Sequence, residues 1–194
     1  MSASREPDRL PEAFRRAQAS VRAAKLRSEV SLSDAPAPTR LAPHALALSA
    51  EVSSEGAELA TGRFVVLHDP AEPAEWGGTF RLVTYVRADL EPETAIDPLL
   101  AEVGWSWLME ALDVRGAKYL AASGTVSRVS SEGFGELADR PPAAEVEIRA
   151  SWTPIGDDLE PHLTAWGELL CTAAGLPPLP PGVTPLRPTR PPGR

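Results

Sequence analysis

Apolar and polar positions alternate along this chain in two distinct rhythms, and the switches between them mark its elements. In residues 10–26, LPEAFRRAQASVRAAKL, the positions Leu10, Phe14, Ala17, Val21 and Ala24 recur at helical spacing and make one apolar stripe. Arg15, Arg16, Arg22 and Lys25 fill the opposite side, and Pro11 suits a first helical turn because its missing N–H has no partner there. A short strand is expected near Glu29–Leu32, before a proline-punctuated crossing loop. HALALSAEV then alternates, with Leu46, Leu48, Ala50 and Val52 on one side, and Ser53–Gly56 supplies the turn into a second strand, ELATGRFVVLHDP. After a polar loop, TFRLVTYVRADL predicts the longest strand. A middle helix is expected from EPETAIDPLL to Val114, with Gly116 capping it. AKYLAASGTVSRVSS reads as a strand with a bulge at Gly124, and AEVEIRASWTP as one whose Val146, Ile148, Ala150 and Trp152 face inward. The last helix starts at DDLEPHL, with Asp157 or Asp158 as N-cap, buries Leu159, Leu163, Trp166, Leu170 and Ala173, and stops at Gly175.

The resulting α-β-β-β-α-β-β-α order, with an optional early edge strand, predicts an α+β fold. Short polar turns between successive strands favour an antiparallel sheet of five to six strands with helices packed on one face. Residues 1–9 are expected to form a flexible N-terminus and 10–175 a single domain. Residues 176–194, with eight prolines and little to bury, are expected to form a disordered or polyproline tail.

The middle helix carries an oddity, EVGWSWLMEAL at 102–112, in which two tryptophans stand two residues apart and point to nearly opposite sides. A helical wheel places Ile96, Leu100, Val103, Trp107, Ala111 and Val114 on one stripe and Trp105, Leu108, Met109 and Leu112 on an adjoining one. Only Glu102, Ser106, Glu110 and Asp113 remain as a polar strip, narrower than a surface helix normally keeps. Trp107 is therefore expected on the sheet. Trp105 and Met109 are expected against something else, either the first or last helix or a second copy of the chain. Gly104 and Gly167 lie beside tryptophans at positions where close helix contact would tolerate glycine.

Charge narrows the choice of partners. The net charge of −8 is unevenly spread: residues 1–27 hold seven basic and three acidic side chains, the tail three arginines, and residues 28–175 nine basic against twenty-four acidic. Such a body is a poor polyanion binder unless its few arginines cluster. Cys171 is the only cysteine, so no intrachain disulfide or multi-cysteine metal site can form. The opening residues lack a signal peptide's apolar stretch, and no apolar run spans a membrane, so a cytoplasmic location is expected.

Few residues offer chemistry. His44 and His162 show no metal-ligand spacing, and neither a metal nor a cofactor is expected. His68-Asp69 is the one histidine–carboxylate pair; its position before Pro70 suits a turn better than a catalytic pair. GFGELA at 133–138 imitates a dinucleotide fingerprint but lacks the following helix. Cys171, among Leu170, Ala173 and Ala174, reads as an inert buried thiol. The best patch lies on the long strand. Arg81, Val83, Tyr85 and Arg87 share the face opposite Phe80, Leu82 and Val86, and Arg149 joins them from a neighbouring strand. Arginines and aromatics on an open sheet suit single-stranded RNA or a protein partner, although Glu145 and Glu147 on the same face would pair with those arginines. The basic face of the first helix (Arg15, Arg16, Arg22) reads either as an acidic-partner or phosphate contact or as a solvated surface.

The stretches LPEAFRRA, RLAPHALALSAEV, ELATGRFVVLHDP, GTFRLVTYVRADLEPE, EVGWSW, EIRASWTP and AWGELLCTAAGLPP together resemble an actinobacterial family catalogued as domain of unknown function number three thousand. The resemblance spans about residues 10–178 and implies no activity and no functional residues. Members tend to be encoded near a ribonuclease D-like exonuclease, which implies at most a loose link to RNA processing. The element order is also similar to that of small dimeric chaperones of secretion effectors, an analogy of fold alone. The expectation is a non-enzymatic binding or adaptor module acting on protein partners, and a homodimer. The alternatives are an RNA-binding accessory protein and, last, an enzyme using His68 and Asp69.

Overall fold

The structure is a computed structural model that describes residues 10–178 of the chain. Its elements are α1 (Glu12–Ala23), β1 (Val30–Ala35), β2 (His44–Ser54), β3 (Ala57–His68), β4 (Phe80–Leu90), α2 (Pro92–Ala95), α3 (Leu100–Val114), β5 (Tyr119–Ser131), β6 (Ala143–Pro154) and α4 (Glu160–Ala173), with a single 3-10 turn at Gly135–Leu137. The strands form one antiparallel sheet in the order β1-β2-β3-β4-β6-β5. The fold is α+β, and the early edge strand is present. β5, not β4, is the longest strand.

Period-two patterning decides which face is buried. Leu48, Ala50 and Val52 of β2, Phe64 and Val66 of β3, Leu82 and Val86 of β4, and Val146, Ile148, Ala150 and Trp152 of β6 join one core with α1, α3 and α4. All three helices therefore lie on that face, with α4 between α1 and α3. The helix wrapped on most sides is α4, where ten of fourteen residues are buried, among them His162, Thr164 and Cys171 beside the expected apolar stripe. It seats closely because β3 carries Gly62 beneath it: a Cβ there would stand 2.6 Å from Trp166 Cζ2 and 2.8 Å from the Tyr85 carbonyl oxygen. Gly167 gives the same freedom toward Leu26, 2.8 Å from where its Cβ would be. The start of α4 differs from expectation. Leu159 holds the N-cap position and donates its N–H to Ser20 Oγ of α1 at 2.8 Å, while Asp157 pairs with Arg16 at 2.6 Å.

The middle helix is corrected in three respects. Asp97-Pro98 divides it, since the residue before proline avoids the helical region, and Asp97 Oδ1 instead accepts the Leu99 N–H at 2.9 Å. The buried line of α3 is Leu100, Gly104, Leu108 and Leu112, so the stripe assigned to the sheet is largely the outward one: Ile96, Val103 and Val114 are exposed. Finally, Trp105, expected away from the sheet, lies over β5, where a Cβ on Gly124 would sit 2.7 Å from Trp105 Cζ3; Trp107, turned about 200° from it, is packed against the main core, and both are half-buried. Met109 accepts a hydrogen bond from the Tyr119 hydroxyl at 3.4 Å. Gly124 serves this contact rather than a bulge. The irregularity in β5 falls just before it, between Leu120 and Ser123, with Ala121 at φ 49°.

Helix α1 is shorter than expected, Pro11 preceding it as N-cap, and Phe14, Ala17 and Val21 are its buried residues. Leu176 still packs on the core beyond Gly175, and the Pro177 carbonyl accepts from Arg27 at 2.9 Å. The expectations for residues 1–9 and 179–194 lie outside the described residues.

Candidate functional site: the open face of the sheet

With the helices on one side, the other face of the sheet is left to solvent and loops. One end is roofed: Ala47, Val65 and Leu67 pack with Ala35, Ala37, Ala42, Ala45 and Trp76, so the segment after β1 and the β3–β4 loop fold over it. Beyond that roof the central strands form a shallow cavity of about 630 Å³. Val65 and Val83 floor it, Arg63, Tyr85 and Arg149 stand around it, and Ser123, Thr125 and Ser151 close the β5–β6 side. Register produces this grouping, because Val65 pairs with Val83, Arg63 with Tyr85, Tyr85 with Arg149, and Arg149 with Thr125, all projecting to one face. Val83 is 37% exposed at the floor.

The arginines here fall into two kinds. Arg87 is paired with Glu145, and Arg149 with Glu147 at 2.7 Å. Tyr85 donates its hydroxyl to Glu147 at 2.8 Å, and the Arg149 guanidinium lies 5.1 Å from the Tyr85 ring centroid. Hydrogen bonds from Arg87 hold the Glu145 carboxyl below its usual range; those from Tyr85 and Arg149 do the same for Glu147. Burial pushes the Tyr85 hydroxyl up. Arg81 and Arg63, by contrast, have no carboxylate partner among the described residues. Arg81 donates to neutral oxygens, Ser151 Oγ at 2.6 Å, the Ala121 carbonyl at 3.0 Å, Thr153 Oγ1 at 3.2 Å and Ser123 Oγ at 3.4 Å. Burial lowers its pKa from the usual arginine value. Arg63 donates to the Pro36 carbonyl.

Of the residues expected at a site, Arg81, Tyr85, Arg87 and Arg149 are brought together here. Arg15, Arg16 and Arg22 are exposed on α1, in the helical layer behind the sheet, and both Arg15 and Arg16 lie near Glu12. Trp105 and Met109 are also on the helical side. Arg63 was not anticipated, yet alternation in ELATGRFVVLHDP carries the signal: with Phe64 and Val66 inward, Arg63 and Val65 face out.

The other candidates are structural. His68 is buried beside Phe14, His44 and Phe80, with Nδ1 3.0 Å from the Thr79 carbonyl and Nε2 unpartnered. Asp69 caps its turn by accepting the Ala71 N–H at 2.9 Å. Burial pushes the Cys171 thiol up to about 12. Among the described residues no three His, Cys, Asp or Glu side chains are grouped to hold a metal ion, and no helix is long and apolar enough to cross a membrane.

A family model described as "Protein of unknown function (DUF3000)" matches residues 10–184. No curated protein matches the chain, and no solved structure does.

Proposed function

The chain belongs to the DUF3000 family, and we propose that this member is a non-enzymatic binding module whose open sheet face receives a protein segment bearing a carboxylate. The observation that carries this reading is the cavity itself. An apolar floor of Val65 and Val83 is bordered by Arg63, whose guanidinium is held by the Pro36 carbonyl rather than by an acid. A neutral partner positions the Arg63 guanidinium without neutralising it, so its other N–H groups can receive an incoming carboxylate. Apolar floor and polar rim together are the usual composition of a recognition surface.

RNA is the weaker reading. Glu145 and Glu147 already occupy Arg87 and Arg149, so phosphates would compete with carboxylates on the same strand pair. Panning a displayed random-peptide library on the purified full chain tests the proposal. Enrichment of peptides with acidic residues beside apolar ones is expected, lost with Val83→Glu in a variant of unchanged unfolding midpoint. Enrichment that survives Val83→Glu, or none on the native protein, contradicts it.

A further inference from the structure

The two edges of the sheet are protected very differently. β1 is six residues long, carries Asp34 and is followed at once by Pro36, all features that discourage a further strand. β5 is thirteen residues long, and Ser123–Ser131, beyond its irregularity, pairs regularly with β6 on one side and with no strand on the other among the described residues. That stretch has a single charge, Arg128, and no proline. Its outer row of N–H and C=O groups is a template for another strand.

We infer that β5 pairs antiparallel with β5 of a second copy about a two-fold axis at Val126, making one sheet across both subunits. Side-chain alternation requires such an axis to pass through a residue, since an axis between residues would oppose side chains of different faces. One feature selects Val126, and two more support the pairing of β5 with its copy. The axis sets Arg128 opposite the partner's Gly124, beside which Ala101, Glu102, Trp105 and Val126 line a cavity of about 320 Å³. Arg128 meets there both an acid and an indole, while one of its nitrogens keeps the Asp97 carbonyl at 2.7 Å. Next, α3 rides over the seam of β5 and β6, because a Cβ on Gly104 would face Val126 at 3.2 Å and Ile148 at 3.7 Å. Its axis is then about half a strand spacing inside β5, and the two copies of α3 would run about 10 Å apart, the separation of packed helices. Lastly, exposed apolar residues stand near the start of β5 and three residues beyond its end, Leu120 at 50% and Phe134 at 78% exposure, and antiparallel pairing brings these regions toward each other. On the open face, the partner's Ser127 and Val129 would then border Thr125 and Ser123, extending the cavity wall. The pairing itself does not depend on what the cavity binds.

Light scattering on the full chain should give about twice the 20.7 kDa chain mass. Thr125 and the partner's Ser127 face each other in this register. Cysteines introduced by Thr125→Cys and Ser127→Cys should therefore cross-link when the two single variants are mixed, and not when either is alone; buried Cys171 does not compete. Thr125→Lys with Ser127→Lys should halve the mass, and Thr125→Glu with Ser127→Lys should preserve it, which separates interface repulsion from misfolding at the same two sites. A native mass of 20.7 kDa at all concentrations, or cross-linking no greater in the mixture than in single variants, overturns the inference.

Discussion

Acidification offers a sharp test of how α4 is seated. His162, 2% exposed, accepts a hydrogen bond at Nδ1 from Trp152 Nε1 at 3.0 Å, and Trp152 is itself fully buried. An imidazole in that role must be neutral, and burial pushes its pKa down to about 4 from the usual 6.5, against a smaller opposing pull from Asp158. Above pH 6.5 neither the folded nor the unfolded chain protonates this ring, and its effect on stability is constant. Below that value the unfolded chain takes up a proton and the folded one does not, so stability falls until the pH reaches about 4. The full loss is about 3 kcal/mol, of which about 2 kcal/mol is gone by roughly pH 5. His68, also lowered mainly by burial, acts with the same sign and begins to act in the same range. Urea unfolding followed by tryptophan fluorescence between about pH 7.5 and pH 5 measures the slope above the range where paired carboxylates such as Glu145 contribute. His162→Gln keeps an acceptor for Trp152 without a titrating ring. It should remove about 2 kcal/mol of the pH-dependent loss and leave the smaller part due to His68. An equal slope in native protein and variant would refute the reasoning.

Other consequences concern packing and surface charge. Gly62→Ala should lower stability by about 1–3 kcal/mol in urea unfolding, because its Cβ meets the Trp166 ring and a strand carbonyl. Arg87→Ala should change stability by less than about 1 kcal/mol, since the Arg87–Glu145 pair is partly exposed and screened. The Cys171 thiol should resist a thiol reagent in the native state at neutral pH and react fully in denaturant; fast native labelling would contradict its burial.

Strands were legible where one face is buried. The inward sets of β2, β4 and β6 follow from alternation alone, and so does the face shared by Arg81, Tyr85 and Arg87. Helix faces were less so. In α3 nearly every turn holds apolar residues on several sides, so periodicity cannot rank them, and the buried line is set by Gly104 and Gly124, which let backbone and indole approach β5. In α4 the number of buried sides depends on α1 and α3 lying beside it, which is tertiary information. The pairing of Arg87 and Arg149 with glutamates was foreseeable from alternation, across strands for Arg87 and along β6 for Arg149. That Arg81 and Arg63 escape such pairing was not, because it depends on which hydroxyl and carbonyl oxygens the register and the Pro36 segment bring within reach.

The central claim is that partners meet the open sheet face and not the apolar outer side of α3. Affinity capture from the cells that make this protein, comparing the native chain with Val83→Glu and with Val103→Glu, sets the two surfaces against each other. Val83 lies on the cavity floor and Val103 on the outer side of α3, at 37% and 40% exposure, so the perturbations are matched. The account predicts that the native chain's partners vanish with Val83→Glu and persist with Val103→Glu. The reverse pattern would contradict it.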